Sequence, residues 1–594
     1  MSGKIMQGRI DQLRKQMKNH GLNAFYISGT DPHQSEDLPQ HWQVREFISG
    51  FTGSLGMIVI TEHAAALWTD SRYFLQAATE LEGTAIRLMK LRTEGFSTPE
   101  EWLGQMLPPG SVTGTDACCM SFNQFRNFKK SLKGKGIELK DSGDLTTAIW
   151  PSRKPLPRDL VFEHEIHYSG LTRLEKIDLI RQKVKASGAV ATIISALDDL
   201  AWTFNLRGHD IFCNPVFIAY SLITDNTISL YIDSRKIPLK IGMKLNKEGI
   251  SVKPYDGIFE ELRHLKGKIL IDPDRTNQAL VESLSPDAEI IELTSVPAML
   301  KAIKSQTELD QIRQTMKKDG VAMIDFLFWL HETIGKREIS DYNIAVQLEY
   351  FRSLQDGYQG ISFPAIIGYK QTGAIVHRRV TKENAVPVFR EGILLVDSGG
   401  HYLSGTTDIT RTITLAEPTP QEREDFTIAL KGMINLTMAC FPAGIKGCNL
   451  DILARKAMWD RGITYGHGTS HGVGYFLNVH EGPMNIRQEY NEHPIRPGMV
   501  LSNEPGIYRE GLYGVRTENM MVCVDRGQTE FGQFYGFETL TLCPIDLKLI
   551  EKDLMSAQEI GWVDNYHKWC FNQLSPLLNE EKTSFLKSLT RQLI

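Results

Sequence analysis

Long apolar runs are missing from this chain. No window of its 594 residues approaches the ~18 uninterrupted apolar residues that a membrane helix requires, so no span is expected. A secretory leader is missing too: MSGKIMQGRIDQLRKQMKNHG is polar and helical in pattern, with no apolar h-region. Positive charge is not in excess. Lys and Arg number 66 against 71 Asp and Glu, a net charge of −5, which argues against a nucleic-acid partner bound mainly through charge. Cysteine is sparse and unpatterned. The eight cysteines, at 118, 119, 213, 440, 448, 523, 543 and 570, form no CxxC zinc pattern. The vicinal Cys118–Cys119 can bind a soft metal, but buried thiols in a reducing cytoplasm are the preferred reading. These absences lead to the expectation of a cytoplasmic protein with neither a membrane nor a nucleic-acid partner.

What is present is an ordinary globular composition, 42% hydrophobic and 23% charged, with apolar material for several cores. At about 100–200 residues per domain, three or four domains are expected. The first half repeats itself. RIDQLRKQMKNHG (9–21) and KIDLIRQKVKASG (176–188) align without gaps at an offset of 167 residues. Each places apolar residues on one helix face and ends in Gly, a helix C-cap signal. Each is followed by a strand-like run, NAFYIS (23–28) and VATIIS (190–195), and later by Asp-Ser-Arg at 70–72 and 233–235. A common amphipathic helix can recur by chance; the paired Asp-Ser-Arg favours two strand-and-helix domains of one ancestry. PSRKPLPRD (151–159) reads as a linker. A third helix, TELDQIRQTMKKDG (307–320), opens the largest block without the strand and Asp-Ser-Arg of the repeat. Helical patterns follow over 321–335, 341–354 and 420–439, and the chain from 544 reads as a helical tail that packs on the preceding block or on a second subunit.

Most of the functional information lies in two aspartates eleven residues apart, a histidine, and two glutamates fourteen apart. They are Asp397 in LLVDSGG, Asp408 in TTDITRT, His471 in SHGVG, Glu504 in SNEPG and Glu518 in VRTEN. Four carboxylates and one imidazole form a mostly oxygen donor set that suits two divalent metal ions bridged by carboxylates and a hydroxide. GILLVDSGG reads as a buried strand ending at a site. TTDITRTITL is β-branched and alternating, hence a strand containing Asp408. A hairpin through GGHYLSG would bring the two aspartates to neighbouring strands, where they repel unless a cation neutralises them. Taken singly, either Asp also reads as a cap or turn residue. GHGTSHGVGYFLNVHEGP (466–483) adds His467 and His480 to His471 among glycines that allow close backbone approach. His471 is the candidate ligand; His467 and His480 are outer groups that bind substrate oxygens or shuttle protons. One glutamate bridges the metals, and the other holds the nucleophilic water and takes its proton. The plain alternative for each glutamate is a solvated surface acid, weakened by the apolar strands beside them.

In these residues the chain resembles the metallopeptidase family with the "pita-bread" fold, which includes methionine aminopeptidase, prolidase and aminopeptidase P. All five metal-ligand positions of that family have a match, in order, and the resemblance of the catalytic block covers roughly 310–540. The preceding domains resemble the creatinase/prolidase-type N-terminal domain, present twice. The implied fold class is α/β (α+β), with domain limits at 1–150, 151–303, 304–543 for the catalytic domain, and 544–594 for a helical extension. The resemblance implies one more histidine, and AIVHRRV supplies His377, which with His467 and His480 completes the substrate-handling histidines. It assigns Glu504 a catalytic role beside them, and matches Arg516 to an arginine that supports the site and holds the substrate chain. Arg378 stands where the family has an aromatic, and Ser470 where glycine is common; neither is a ligand position. Removal of an N-terminal residue from peptides with proline second is the implied activity, with Mn²⁺ the expected metal and Zn²⁺, Co²⁺ or Fe²⁺ able to use the same ligands. A homodimer is implied by analogy. Prolidase shares the ligands but normally has one N-terminal domain, methionine aminopeptidase has neither, and creatinase lacks this metal set. A non-catalytic peptide- or histone-binding module on the same fold typically has lost ligands, and here all five are kept.

Overall fold

A computed structural model describes residues 3–593. The chain divides into two compact units. One holds the chain up to His164 together with Leu171–Met299; the other holds Glu165–Gly170 and everything from Leu300.

In the first unit the sequence repeat is a structural repeat. One six-stranded sheet has the order Ile86–Lys90, Ala65–Thr69, Met57–Thr61, Ala24–Ile27, Val112–Thr115, Glu138–Asp141. The other runs Ile250–Lys253, Ile228–Tyr231, Tyr220–Thr224, Ala191–Ile194, Gly267–Ile271, Ala288–Glu292. Neighbour for neighbour the orientations agree: parallel, antiparallel, antiparallel, parallel, parallel. The aligned segments form the helices Gly3–Asn19 and Arg173–Ala186. In the first, Met6, Ile10, Leu13 and Met17 fall on one face and are buried. Gly21 and Gly188 follow at φ +68° and +79°, and the N–H groups of Leu22 and Ala189 donate back to Met17 and Val184, a Schellman C-cap in each copy. The Asp-Ser-Arg motifs are turn devices. Arg72 Nε donates to Asp70 at 3.1 Å and Arg235 Nε to Asp233 at 2.8 Å. Cys118 and Cys119 are half-buried rather than buried, and desolvation pushes the Cys118 thiol up to about 12.

The second unit opens with the helix Gln306–Thr333, started by a Ser305/Glu308 capping box. The sequence signal for an end at Gly320 fails. The glycine lies inside the helix because a Cβ there would meet the carbonyl oxygen of Leu542 at 2.7 Å, so it serves close packing and not a cap. Two antiparallel sheets follow. In one, Ile393–Tyr402 pairs with Tyr358–Tyr369 on one side and Ile409–Thr414 on the other. The second has the order Cys440–Pro442, Gly532–Thr539, Met521–Thr529, Val500–Leu501, Ser470–Gly472, Glu481–Ile486. The helix Pro420–Thr437 buries Phe426, Ile428, Leu430, Met433 and Ile434 in the core of this unit. The tail helices Ala557–Leu574 and Glu580–Leu589 pack on this unit: Val563, Tyr566, Cys570, Leu574 and Leu586 belong to the same core. Among the described residues no helix is long and apolar enough to cross a membrane.

Candidate active site and metal centre

The expected hairpin forms. Asp397 lies mid-strand in Ile393–Tyr402 opposite Thr410, after three fully buried apolar residues, Leu394, Leu395 and Val396. Asp408 does not sit inside a strand as expected. It occupies the step between the short Gly405–Thr406 pairing and the Ile409–Thr414 strand. Gly399 makes that step possible, because a Cβ there would collide with the carbonyl oxygen of Thr407. Both aspartates are buried, at 6% and 4% exposure.

His471 comes from Ser470–Gly472, and Glu504 follows Val500–Leu501, whose Leu501 pairs with Gly472. The Nδ1–H of His471 donates to the Gly472 carbonyl at 2.9 Å, which leaves the Nε2 lone pair for a ligand. That Nε2 lies 3.3 Å from Asp408 Oδ2 and 3.5 Å from Glu504 Oε1. Glu518, 1% exposed, accepts from Thr410 Oγ1 at 2.8 Å. Ligand atoms of Asp408, His471 and Glu518 all lie within 4.8 Å of one another, and among the described residues this is the group of acids and histidines able to share an ion.

The electrostatics fit a divalent metal pair. Burial, opposed by Arg516 and reinforced by Asp408, lifts the Asp397 carboxyl to about 6. Burial lifts Glu504 to about 7 and holds Glu518 well above the usual carboxylate range, the latter with Asp408, Glu504 and Asp397 pushing the same way. Asp397 Oδ1 and Glu518 Oε1 are buried without a hydrogen-bond partner. Orphaned oxygens among mutually repelling acids are costly unless a cation takes them. Ligand bonds of about 2.1 Å put neighbouring donors about 3–3.5 Å apart, as His471 is from Asp408 and Glu504.

Around the acids, Arg516 ties several candidates together. Its Nη2 donates to Asp397 Oδ2, its Nε to Thr410 Oγ1 at 3.1 Å, and its Nη1 to the Tyr508 hydroxyl at 2.5 Å. The same hydroxyl lies 2.8 Å from His467 Nε2. The exposed His480 ring stands edge-on to His471, centroids 4.4 Å apart. His377 is half-buried in the turn after the short helix Lys370–Ala374, which packs on the Tyr513–Arg516 strand through Gly373 and Gly514. Arg378 is an anchor: its buried guanidinium pairs with Asp341 and donates to the carbonyls of Ile367 and Asn384. Ser470 places a buried hydroxyl without a hydrogen-bond partner. Sequence reasoning missed Thr410, Tyr508 and Arg411. Arg411 donates to the Glu518 carbonyl at 2.6 Å and to Tyr566 of the tail at 2.9 Å. The β-branched alternation around Asp408 pointed at Thr410 and Arg411 only as strand residues.

Fold and site together define a two-sheet metallohydrolase carrying a duplicated N-terminal domain, and the comparisons agree. Metallopeptidase family M24 matches residues 310–525, and the C-terminal region of peptidase M24 matches 533–593. The Creatinase/Prolidase N-terminal domain matches twice, at 9–149 and 152–308. The chain belongs to metallopeptidase family M24. It is 38% identical to a "Probable Xaa-Pro aminopeptidase P" of Laccaria bicolor, over 98% of this chain and 92% of that protein. It is 36% identical to "Aminopeptidase P2" of Arabidopsis thaliana, over 95% and 85%. Its structure is similar to that of an X-prolyl aminopeptidase from Caenorhabditis elegans, described as a cytosolic enzyme with a di-nuclear active site, at a TM-score of 0.95 and 30% identity over 99% of each chain.

Proposed function

We propose that this metallopeptidase is an Xaa-Pro aminopeptidase that hydrolyses the bond between an N-terminal residue and a penultimate proline. The observation that carries the proposal is the buried acid set with its orphaned oxygens, in a chain whose similarity to Xaa-Pro aminopeptidases runs from end to end. Asp397, Asp408, His471, Glu504 and Glu518 would hold two divalent cations, Mn²⁺ first among them because oxygen donors dominate. When bound, such a pair polarises the scissile carbonyl and makes water acidic near neutral pH. The chain's own residues do the rest. Glu504, 17% exposed at the mouth of the cluster, takes the proton of the attacking water and passes it toward the prolyl nitrogen. An Xaa-Pro bond is a tertiary amide with no N–H, so nothing in the site needs to accept one. His377, His467 and His480 hold substrate oxygens, and Arg516 fixes Asp397 and, through Tyr508, His467.

The deciding assay is Mn²⁺-dependent release of arginine from Arg-Pro-Pro, run beside Gly-Pro. Preferential cleavage of Gly-Pro would make the protein a prolidase-type dipeptidase, and inertness toward both with any divalent metal would make it a peptide-binding module. A cytosolic location follows from the same reading. A homodimer is part of the proposal, and light scattering at the mass of one chain would contradict it. We place the domain limits near residues 150, 303 and 543; limited proteolysis within 151–159 checks the first.

A further inference from the structure

We infer that a buried triad, Lys301–Glu481–Lys304, is a positioning device that sets where His480 stands against His471. The three residues are 4%, 3% and 4% exposed. Each carboxylate oxygen of Glu481 has its own ammonium: Lys301 Nζ lies 3.1 Å from Oε2, and Lys304 Nζ donates to Oε1.

The backbone makes this arrangement consequential for the site. Glu481 directly follows His480 and opens the Glu481–Ile486 strand, where it pairs with Gly472, the neighbour of His471. The two strands touch there, since a Cβ on Gly472 would collide with the Glu481 carbonyl oxygen. The lysines are rooted on the other side. The Lys304 N–H donates to the Gly498 carbonyl at 2.9 Å, and Ile303 forms a bridge with Met499. Met499 leads into the Val500–Leu501 strand and on to Glu504. The triad thus spans both strands that flank Ser470–Gly472, one carrying His480 at its head and the other Glu504 past its end.

Stability alone does not account for it. A buried ion pair replaced by apolar groups of similar volume is often neutral or stabilising. What a carboxylate with both oxygens engaged by ammoniums provides is a single geometry. The residue so held is the one beside His480, whose ring sits 4.4 Å from His471 at 84°.

The inference rests on the proposed substrate-handling role of His480. Its test is the variant Lys301→Met/Lys304→Met/Glu481→Leu in the full chain, which removes the charges and keeps most of the volume. The expected result is a folded enzyme whose kcat on an Xaa-Pro peptide is down about 10–100-fold, the loss expected of a misplacement near 1 Å, with KM changed less than about threefold. Its pH profile should shift, and a crystal structure should show the His480 ring away from its place on His471. Adding His480→Ala to the variant should cost little more. A folded variant with wild-type kcat and an undisturbed ring overturns the inference, and so does full additivity with His480→Ala. If the triple variant does not fold, Glu481→Asp takes its place; it keeps both ammoniums but retracts the carboxylate by one methylene, and wild-type kcat there is equally fatal. Should the wild type cleave no Xaa-Pro peptide, the functional proposal falls while the ring position still decides the clamp.

Discussion

The N-terminal unit and the catalytic unit bury charge in different ways. In the first, signs balance. The Lys236 ammonium, 1% exposed, pairs with Asp210, which also accepts the Ile218 N–H at 2.6 Å. Both ring nitrogens of His33 are engaged, by the Ser195 carbonyl and the Tyr255 hydroxyl, and burial holds the ring below the usual histidine range. At the candidate site of the catalytic unit four carboxylates crowd one imidazole and one guanidinium. Balanced burial serves architecture, whereas a buried excess of one sign marks a place that expects something from outside the chain.

Breaking the unbalanced set should have the largest effect. Asp408→Ala removes a carboxylate facing His471, and is expected to abolish metal binding and lower kcat/KM by at least about 10³-fold, roughly 4 kcal/mol. Two metals per chain by elemental analysis of that variant would remove Asp408 from the ligand set. Breaking the balanced set should cost stability and leave chemistry alone. Lys236→Met strands Asp210, so the first unit should lose about 3–5 kcal/mol in urea unfolding, with kcat per folded molecule unchanged. Adding Asp210→Leu should restore most of that loss; no recovery would mean the pair is not a balanced one.

A third test separates burial from balance. His567, fully buried in the tail helix, accepts the Ile545 N–H on Nε2 at 3.0 Å, and burial with Arg411 nearby lowers its pKa to about 4. The unfolded chain binds this proton below about 6.5 and the native chain only below about 4. Stability is therefore present above pH 6.5 and drains away as pH falls toward 4, by up to about 3 kcal/mol. His567→Gln should flatten that slope in the thermal unfolding of the catalytic unit between pH 6.5 and 4; an unchanged slope assigns the acid loss elsewhere.

The same contrast explains what could be read before any coordinates. The candidate acids stand out in the sequence because chemistry dictates their type and apolar strands betray their setting: Asp397 follows the run Leu394–Val396. The duplication was legible because a helix face, a Gly cap and an Asp-Ser-Arg turn are all local. Gly320 misled, since its reason is a carbonyl at Leu542, over two hundred residues away. Lys301 and Glu481 meet across 180 residues, and Arg411 reaches the tail at Tyr566 across 155. No local pattern announces such partners, and supporting residues are mostly of this kind.

Tyr508 gives the smallest and sharpest test, because it lies in the balanced part of the site. Its hydroxyl accepts from Arg516 and meets His467, so Tyr508→Phe removes one neutral group and no charge. Arg516 keeps Asp397 and Thr410, hence the metal complement should stay at the wild-type value. His467 loses one of its ring hydrogen bonds, and kcat should fall about tenfold, the ~1.4 kcal/mol of one good hydrogen bond. The double variant Tyr508→Phe/His467→Ala should then be little worse than His467→Ala alone, since both act through one contact. Loss of metal on Tyr508→Phe would show instead that the hydroxyl holds Arg516 against Asp397, and would move Tyr508 from the substrate side of the site to the support of its acids.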